Sequence, residues 1–171
     1  MDATFATVRA ALATDLPALR DLRNHHVLHS NATFDEQPLS SDDLRQWMKA
    51  FAPNGPHRLL VAEDASGLLG FASSQPYRAH PAFRHTAETS IYCAPRAAGR
   101  GVGTALYGAL FACLRDQGLH CAVVGIALPN DASVRLHEKF GFTTVGMFDQ
   151  YAQKRGERIS SLWMQRVMDE G

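Results

Sequence analysis

The stretch Thr86–Leu106, TAETSIYCAPRAAGRGVGTAL, decides how the chain is read. From Thr86 to Cys93 it alternates and is rich in β-branched side chains, the pattern of a half-buried strand. Pro95 stops that strand. A glycine-dense turn, Ala98-Gly99-Arg100-Gly101-Val102-Gly103-Thr104, follows and runs straight into ALYGALFACL, which is apolar at helical period. A strand that feeds a helix through such a turn leaves the first helical N–H groups without partners, pointing beyond the strand end. Glycines 99, 101 and 103 let the backbone approach an anion closely, and the helix dipole favours negative charge there. Two nucleotide motifs fail against the turn. A Walker loop requires a lysine before the Ser/Thr, and Gly103-Thr104 has none. A dinucleotide fingerprint begun at Gly99 places its third glycine at Thr104, and no acidic residue closes a second strand at the required distance.

Composition frames this site. At 171 residues and 46% hydrophobic content, the chain suits one domain over 1–171 with a substantial core. Seventeen basic and seventeen acidic residues cancel, and no basic run or aromatic-basic interleaving marks a nucleic-acid surface. No apolar stretch reaches the roughly 18 residues of a membrane span, and no signal segment opens the chain. Cys93, Cys113 and Cys121 are odd in number and lack metal spacing, which fits reduced thiols. These features predict a soluble, cytoplasmic protein.

Taken in order, the sequence predicts a strand at Phe5–Arg9 and a helix capped by Thr14, with Leu16, Leu19, Leu22 and Val27 on its buried face. His25 and His29 share a helix face but lack a third ligand, so no metal is expected. Ser30–Leu39 reads as a polar loop around Phe34, which either packs the loop down or walls a pocket. A helix runs from Ser40 or Ser41 through Trp47 and Phe51, and Pro53-Asn54-Gly55-Pro56 ends it. His57–Glu63 and Leu68–Gln75 flank a hairpin turn, and Pro76–His85 is a loop of aromatic and cationic side chains leading into the Thr86 strand. The glycine turn feeds a helix over Gly103–Gln117 with Gly118 as its cap. His120–Leu128 reads as a strand buried on both faces. Asn130 or Asp131 caps a helix over Ala132–Phe140, closed by Gly141, and strands at Thr143–Tyr151 and Arg158–Val167 finish the chain. The expected class is α/β or α+β: a central mixed, mostly antiparallel sheet with helices on both faces.

Within this order, Ala-Gly-Arg-Gly-Val-Gly-Thr between strand and helix, then Asn130-Asp131-Ala132-Ser133 and Gly141-Phe142, resembles the GCN5-related N-acetyltransferase (GNAT) superfamily. His85-Thr86-Ala87-Glu88-Thr89-Ser90-Ile91-Tyr92 and Leu128–Glu138, LPNDASVRLHE, are similar to its phosphinothricin and methionine sulfoximine acetyltransferase branch. The resemblance implies acetyl-CoA as co-substrate. It assigns the diphosphate to the turn Gly99, Arg100, Gly101, Val102, Gly103 and Thr104. The pantetheine arm falls to the backbone of Ile91, Tyr92 and Cys93, with Asn130 and Ser133 beside it. The superfamily's Gln or Arg ahead of the glycines is Ala98 here, which removes one side-chain phosphate contact.

Transfer to an amine requires a neutral nitrogen, because an ammonium ion has no lone pair. Glu88 lies mid-strand, sharing a face with Thr86, Ser90 and Tyr92. It is either a solvated strand glutamate or the base, and the resemblance implies the base. Where many superfamily members carry a tyrosine as the acid for the departing thiolate, this branch and this chain carry histidine, His137; Tyr92 and Tyr107 are the other candidates. Arg78 suits a carboxylate or phosphinate, and Phe34, Tyr77, Phe83 and Thr86 are the remaining substrate candidates. His80 stands where close members carry a second arginine, which favours methionine sulfone or sulfoximine over phosphinothricin. Two other readings stay open: a GNAT enzyme for another amine, such as a protein N-terminus or polyamine, and a non-catalytic acyl-CoA sensor. The resemblance also implies a homodimer.

Overall fold

The computed structural model describes residues 6–168. In chain order it contains β1 (Thr7–Ala10), α1 (Leu16–His29), α2 (Ser41–Met48), β2 (Leu59–Asp64), β3 (Gly67–Pro76), β4 (Thr86–Cys93), α3 (Val102–Leu114), β5 (Cys121–Ala127), α4 (Asp131–Lys139), β6 (Thr143–Lys154) and β7 (Glu157–Val167). The strands form one sheet in the order β1-β2-β3-β4-β5-β7-β6. Every neighbouring pair is antiparallel except β4 and β5. The mixed, mostly antiparallel α/β class is therefore the observed one.

Alternation in β2 sorts the two faces. Leu59 and Val61 pack with Leu19 and Leu22 of α1 and Leu44 of α2, whereas Leu60 and Ala62 join α3 through Leu106 and Leu110. A bulge then skips Leu69, since Ala62 pairs with Gly70 but Glu63 with Leu68. Leu69 consequently joins the α3 cluster while Phe71 joins the α1–α2 cluster. α3 is apolar almost all round and buries Leu106, Tyr107, Leu110 and Leu114, each contributing about 1.5–3 kcal/mol of transfer free energy. α2 starts from a capping box in which the Ser40 hydroxyl accepts from the Asp43 N–H at 3.1 Å.

Several boundaries differ from expectation, among them the end of β6, which runs to Lys154 rather than Tyr151, and the start of β2, at Leu59 rather than His57. Phe5 lies outside the described residues, and β1 starts at Thr7. Thr14 falls inside a one-turn 3₁₀ segment, Ala13–Asp15; the Asp15 carboxylate closes it by accepting from the Leu12 N–H at 2.7 Å and from Arg9. α2 stops at Met48, although Phe51 still packs on Trp47 at 4.8 Å between ring centroids. α3 stops at Leu114, because Arg115-Asp116-Gln117 offers no apolar face to bury; Gly118 keeps its positive φ of 72° in the turn beyond.

β5 is a correction of a different kind. Ala122, Val124 and Ile126 are buried, but Gly125 on the opposite face is exposed. The β4–β5 ladder comprises only Thr86–Cys121, Ala87–Ala122 and Glu88–Val123. Beyond Glu88 the two strands part, and a cleft opens between them. Gly70 lets β3 lie close to β4 at the cleft's far end: a Cβ there meets the Tyr92 carbonyl oxygen at 2.8 Å and Leu106 at 3.1 Å. Gly70→Ala is expected to destabilise the fold by about 1–3 kcal/mol, measured as a lowered denaturant midpoint at unchanged m-value.

Candidate active site

α3 begins at an uncapped N-terminus. Gly101 is its N-cap at φ 75°, no side chain caps it, and the first intrahelical bond runs from the Ala105 N–H to the Gly101 carbonyl at 3.0 Å. The N–H groups of Val102, Gly103 and Thr104 therefore have no helical acceptor. Gly99 and Gly101 adopt left-handed φ of 73° and 75°, conformations that cost other residues about 1–2 kcal/mol. Gly103 is constrained by space: a Cβ there meets Leu136 of α4 at 3.1 Å. Together these groups form the rim of a cleft of about 320 Å³ running from the helix mouth to the parted strands. Every expected cofactor residue except Arg100 lines it. The Arg100 guanidinium instead donates to Asp64 at 2.8 Å, tying the glycine turn to the β2–β3 hairpin. A diphosphate followed by an extended amide chain fits this cleft: anion donors at one end, main-chain groups of diverging strands at the other.

His26 of α1 reinforces the cleft floor. Its Nε2 donates to the Cys93 carbonyl at 2.9 Å, and burial pushes its pKa down, so the ring is neutral. Tyr92 stacks on Phe71, meets the tilted His26 ring, and donates to the Ala32 carbonyl at 3.0 Å, which brings the loop after α1 against β4.

A second cavity, of about 240 Å³, shares Ala32, Ile91, Tyr92, Asn130 and Ser133 with the cleft. Glu88 lies in its wall at the point where β4 and β5 separate. Desolvation raises the Glu88 pKa above the usual carboxylate range. That places a carboxylate of increased basicity beside the cleft. Ser90 lines the cavity on the same strand face, whereas Thr86 does not, because β4 and β5 are still paired there.

His137 also lines the cavity and is buried. Its Nδ1 faces the Ser133 carbonyl at 2.7 Å and must carry the proton, so Nε2 accepts from the Tyr107 hydroxyl at 2.7 Å. The Thr89 hydroxyl lies 3.3 Å from the Tyr107 oxygen and completes the chain by donating to it. Burial lowers the His137 pKa and raises that of Tyr107, keeping both neutral.

Of the substrate candidates, only Phe34 lines the cavity. Tyr77, Arg78 and Phe83 form their own cluster: Arg78 lies 5.0 Å from the Tyr77 ring and 5.7 Å from that of Phe83. The cluster meets the cavity through Tyr77, whose ring is 6.3 Å from Trp163. Trp163, Tyr151 and Thr33 are cavity residues that sequence reasoning did not reach. One signal pointed to Trp163. A glycine inside the apolar strand CAVVGIA marks a close approach, and a Cβ on Gly125 meets the Trp163 ring at 2.9 Å.

Comparison with known proteins agrees with this geometry. Residues 20–142 match the Acetyltransferase (GNAT) family. The chain is 44% identical to a phosphinothricin N-acetyltransferase of Streptomyces coelicolor, over 94% of this chain and 95% of that protein. It is 34% identical to an L-methionine sulfoximine/L-methionine sulfone acetyltransferase of Salmonella typhimurium, over 96% and 95% of the two chains. A phosphinothricin acetyltransferase from Sinorhizobium meliloti, solved in complex with AcCoA, superposes with a TM-score of 0.90 at 30% identity, over 97% of this chain and 90% of that one. A family match over residues 20–142 and relatives aligned along almost the whole chain show that it belongs to the GNAT family of acetyl-CoA-dependent N-acetyltransferases.

Proposed function

We propose that the protein acetylates the α-amine of a small amino acid or analogue of the phosphinothricin, methionine sulfone or methionine sulfoximine type, with Glu88 as general base. The observation that carries this reading is the placement of Glu88: a desolvated carboxylate, held by no side chain of the described residues, in the wall of the cavity that adjoins the cleft. The cavity's size and aromatic walls, Phe34, Tyr151 and Trp163, suit a small molecule, and relatives named for such substrates align along almost the full chain.

Main-chain N–H groups of Val102, Gly103 and Thr104 would hold the diphosphate, and the unpaired edge of Ile91–Cys93 the pantetheine arm. The thioester supplies an activated acetyl carbon. Glu88 takes one proton from the incoming ammonium, directly or through water, and the nitrogen lone pair forms the new C–N bond. As the C–S bond breaks, the coenzyme A thiolate leaves and takes up the second proton lost by the nitrogen, giving amide and free thiol. A β4 N–H near Ile91 or Tyr92, both of which line the cavity, would donate to the developing oxyanion. His137, with both nitrogens engaged, holds Tyr107 and Thr89 beneath this strand.

The same reading gives a cytoplasmic homodimer. Its support is β6, an edge strand whose Val145, Met147, Phe148 and Tyr151 are all exposed, together with three free cysteines that fit a reducing compartment.

Glu88→Gln should lower kcat/KM for methionine sulfone by about 10²–10⁴-fold in a thiol-release assay, with acetyl-CoA affinity retained. Because the base must be ionised, wild-type kcat/KM should fall as pH drops through the raised Glu88 pKa, and this acid limb should vanish in the variant. Unchanged turnover removes Glu88 from the mechanism. Gly101→Ala forces a left-handed alanine at the helix mouth, so the KM for acetyl-CoA should rise about tenfold while the amine KM stays put. Met147→Glu with Phe148→Glu should shift the sedimentation coefficient from dimer to monomer.

A further inference from the structure

Among the described residues, one buried cationic side chain lies outside the chemistry just described. Lys154 ends β6 with 2% of its surface exposed. Its ammonium donates to two main-chain carbonyls, Ser30 O at 2.6 Å and Thr33 O at 2.8 Å. Burial is the chief force against its charge, with neighbouring Arg155 second, while Asp35 and Glu36 act in its favour. A lysine spent in this way needs a reason, because a buried ammonium is expensive unless its donors are used.

The reason lies in what the two carbonyls belong to. Residues 30–36 form an irregular polar segment after α1, and Ala32, Thr33 and Phe34 from it line the cavity. Gripping Ser30 and Thr33 at one point fixes the arc between them, and therefore where Thr33 and Phe34 enter the cavity. Arg155, at φ 50°, extends the clamp: its N–H donates to Glu36 at 2.8 Å and its guanidinium to the carbonyls of Leu28 and Val27 in the last turn of α1. Three residues before Lys154, Tyr151 lines the cavity and meets the Phe34 ring at 6.2 Å between centroids. One strand end thus supplies a cavity wall and holds the wall it touches. Ala32, which also borders the cofactor cleft, has its own tie to β4 through Tyr92.

We propose that Lys154 is a positioning residue for the amine substrate: its ammonium sets the 30–36 wall, so that its loss impairs amine binding and leaves acetyl-CoA binding intact. This rests on the cavity being the amine site. The test is steady-state kinetics of wild type, Lys154→Met and Lys154→Gln with methionine sulfone and acetyl-CoA varied in turn. Lys154→Met should raise the amine KM about tenfold, with kcat within about threefold and acetyl-CoA KM within about twofold of wild type. Lys154→Gln, which keeps a donor for one carbonyl, should show the same split at smaller size. Arg155→Ala, which keeps the main-chain N–H to Glu36 and removes only the guanidinium contacts to the last turn of α1, should lower the melting temperature without that split. Equal losses in both KM values, or a fall in kcat alone, overturns the proposal. If Lys154→Met does not fold, an unchanged amine KM in Lys154→Gln overturns it, because Lys154 then serves folding alone. Wild type that fails to turn over methionine sulfone and phosphinothricin sinks the substrate reading instead, a result distinct from normal wild-type turnover with no KM split in the variants.

Discussion

Two parallel strands that part after three residue pairs impose the central constraint on this molecule. Backbone N–H and C=O groups seek partners wherever they are shielded from water. β4 beyond Glu88 keeps its ladder to β3, and β5 beyond Val123 keeps its ladder to β7, but each has lost the other. The edges they present to one another form a template for an extended amide chain. The uncapped start of α3 lies along the same cleft and supplies donors for the charged end of such a chain. On the proposed reading, the fold binds its co-substrate where ordinary secondary structure is left unfinished in two adjacent places.

An unfinished sheet is a weakness unless something else fixes its geometry. Here the fixing groups are buried and polar. The chain from Ser133 through His137 and Tyr107 to Thr89 joins α4, α3 and β4 under the open strand. Because each of these groups has its partner, they specify one arrangement; loss of any one would strand a buried donor or acceptor at about 1–3 kcal/mol. On the other side, Tyr92 joins β4 to the segment after α1. The cavity is therefore bounded by elements that are individually irregular but tied to one another by single, directional bonds.

What the sequence made legible follows from how local each cause is. The bounds of β4 were read as observed, since alternation begins at Thr86 and Pro95 lies just beyond Cys93. The glycine turn was legible because positive φ at Gly99 and Gly101 is a local demand. The resemblance to a known family supplied Glu88 as the base, and geometry adds the desolvated setting that makes the role chemically sensible. Thr33, Tyr151 and Trp163 had no local signature. Thr33 is placed by Lys154, 121 residues away, and Trp163 by its register opposite Gly125. The second face of β5 was misread because an apolar run signals burial without saying whether protein or ligand does the covering.

Charge explains how cofactor grip and amine activation stay separate. The chain is formally neutral, with seventeen charges of each sign, so long-range steering contributes little and recognition of a diphosphate must be local. The arginine of the glycine turn and the one just before it are already engaged: Arg100 with Asp64 at 2.8 Å, and Arg96 with the Leu68 carbonyl at 2.8 Å and with Asp64 at 3.6 Å. The Ser66 hydroxyl and then Arg100 hold the Asp64 carboxyl well below its usual range, so this ion cluster stays intact through neutral pH. What remains for a phosphate at the helix mouth is main-chain N–H groups and the helix dipole, with Lys139 nearby through Thr104. Main-chain donors do not titrate. Glu88 does, and desolvation brings its transition closer to neutrality. With the proposed roles, one end of the site would bind with a strength nearly independent of pH while the other responded to it, and the reaction's pH dependence would collect on a single carboxylate.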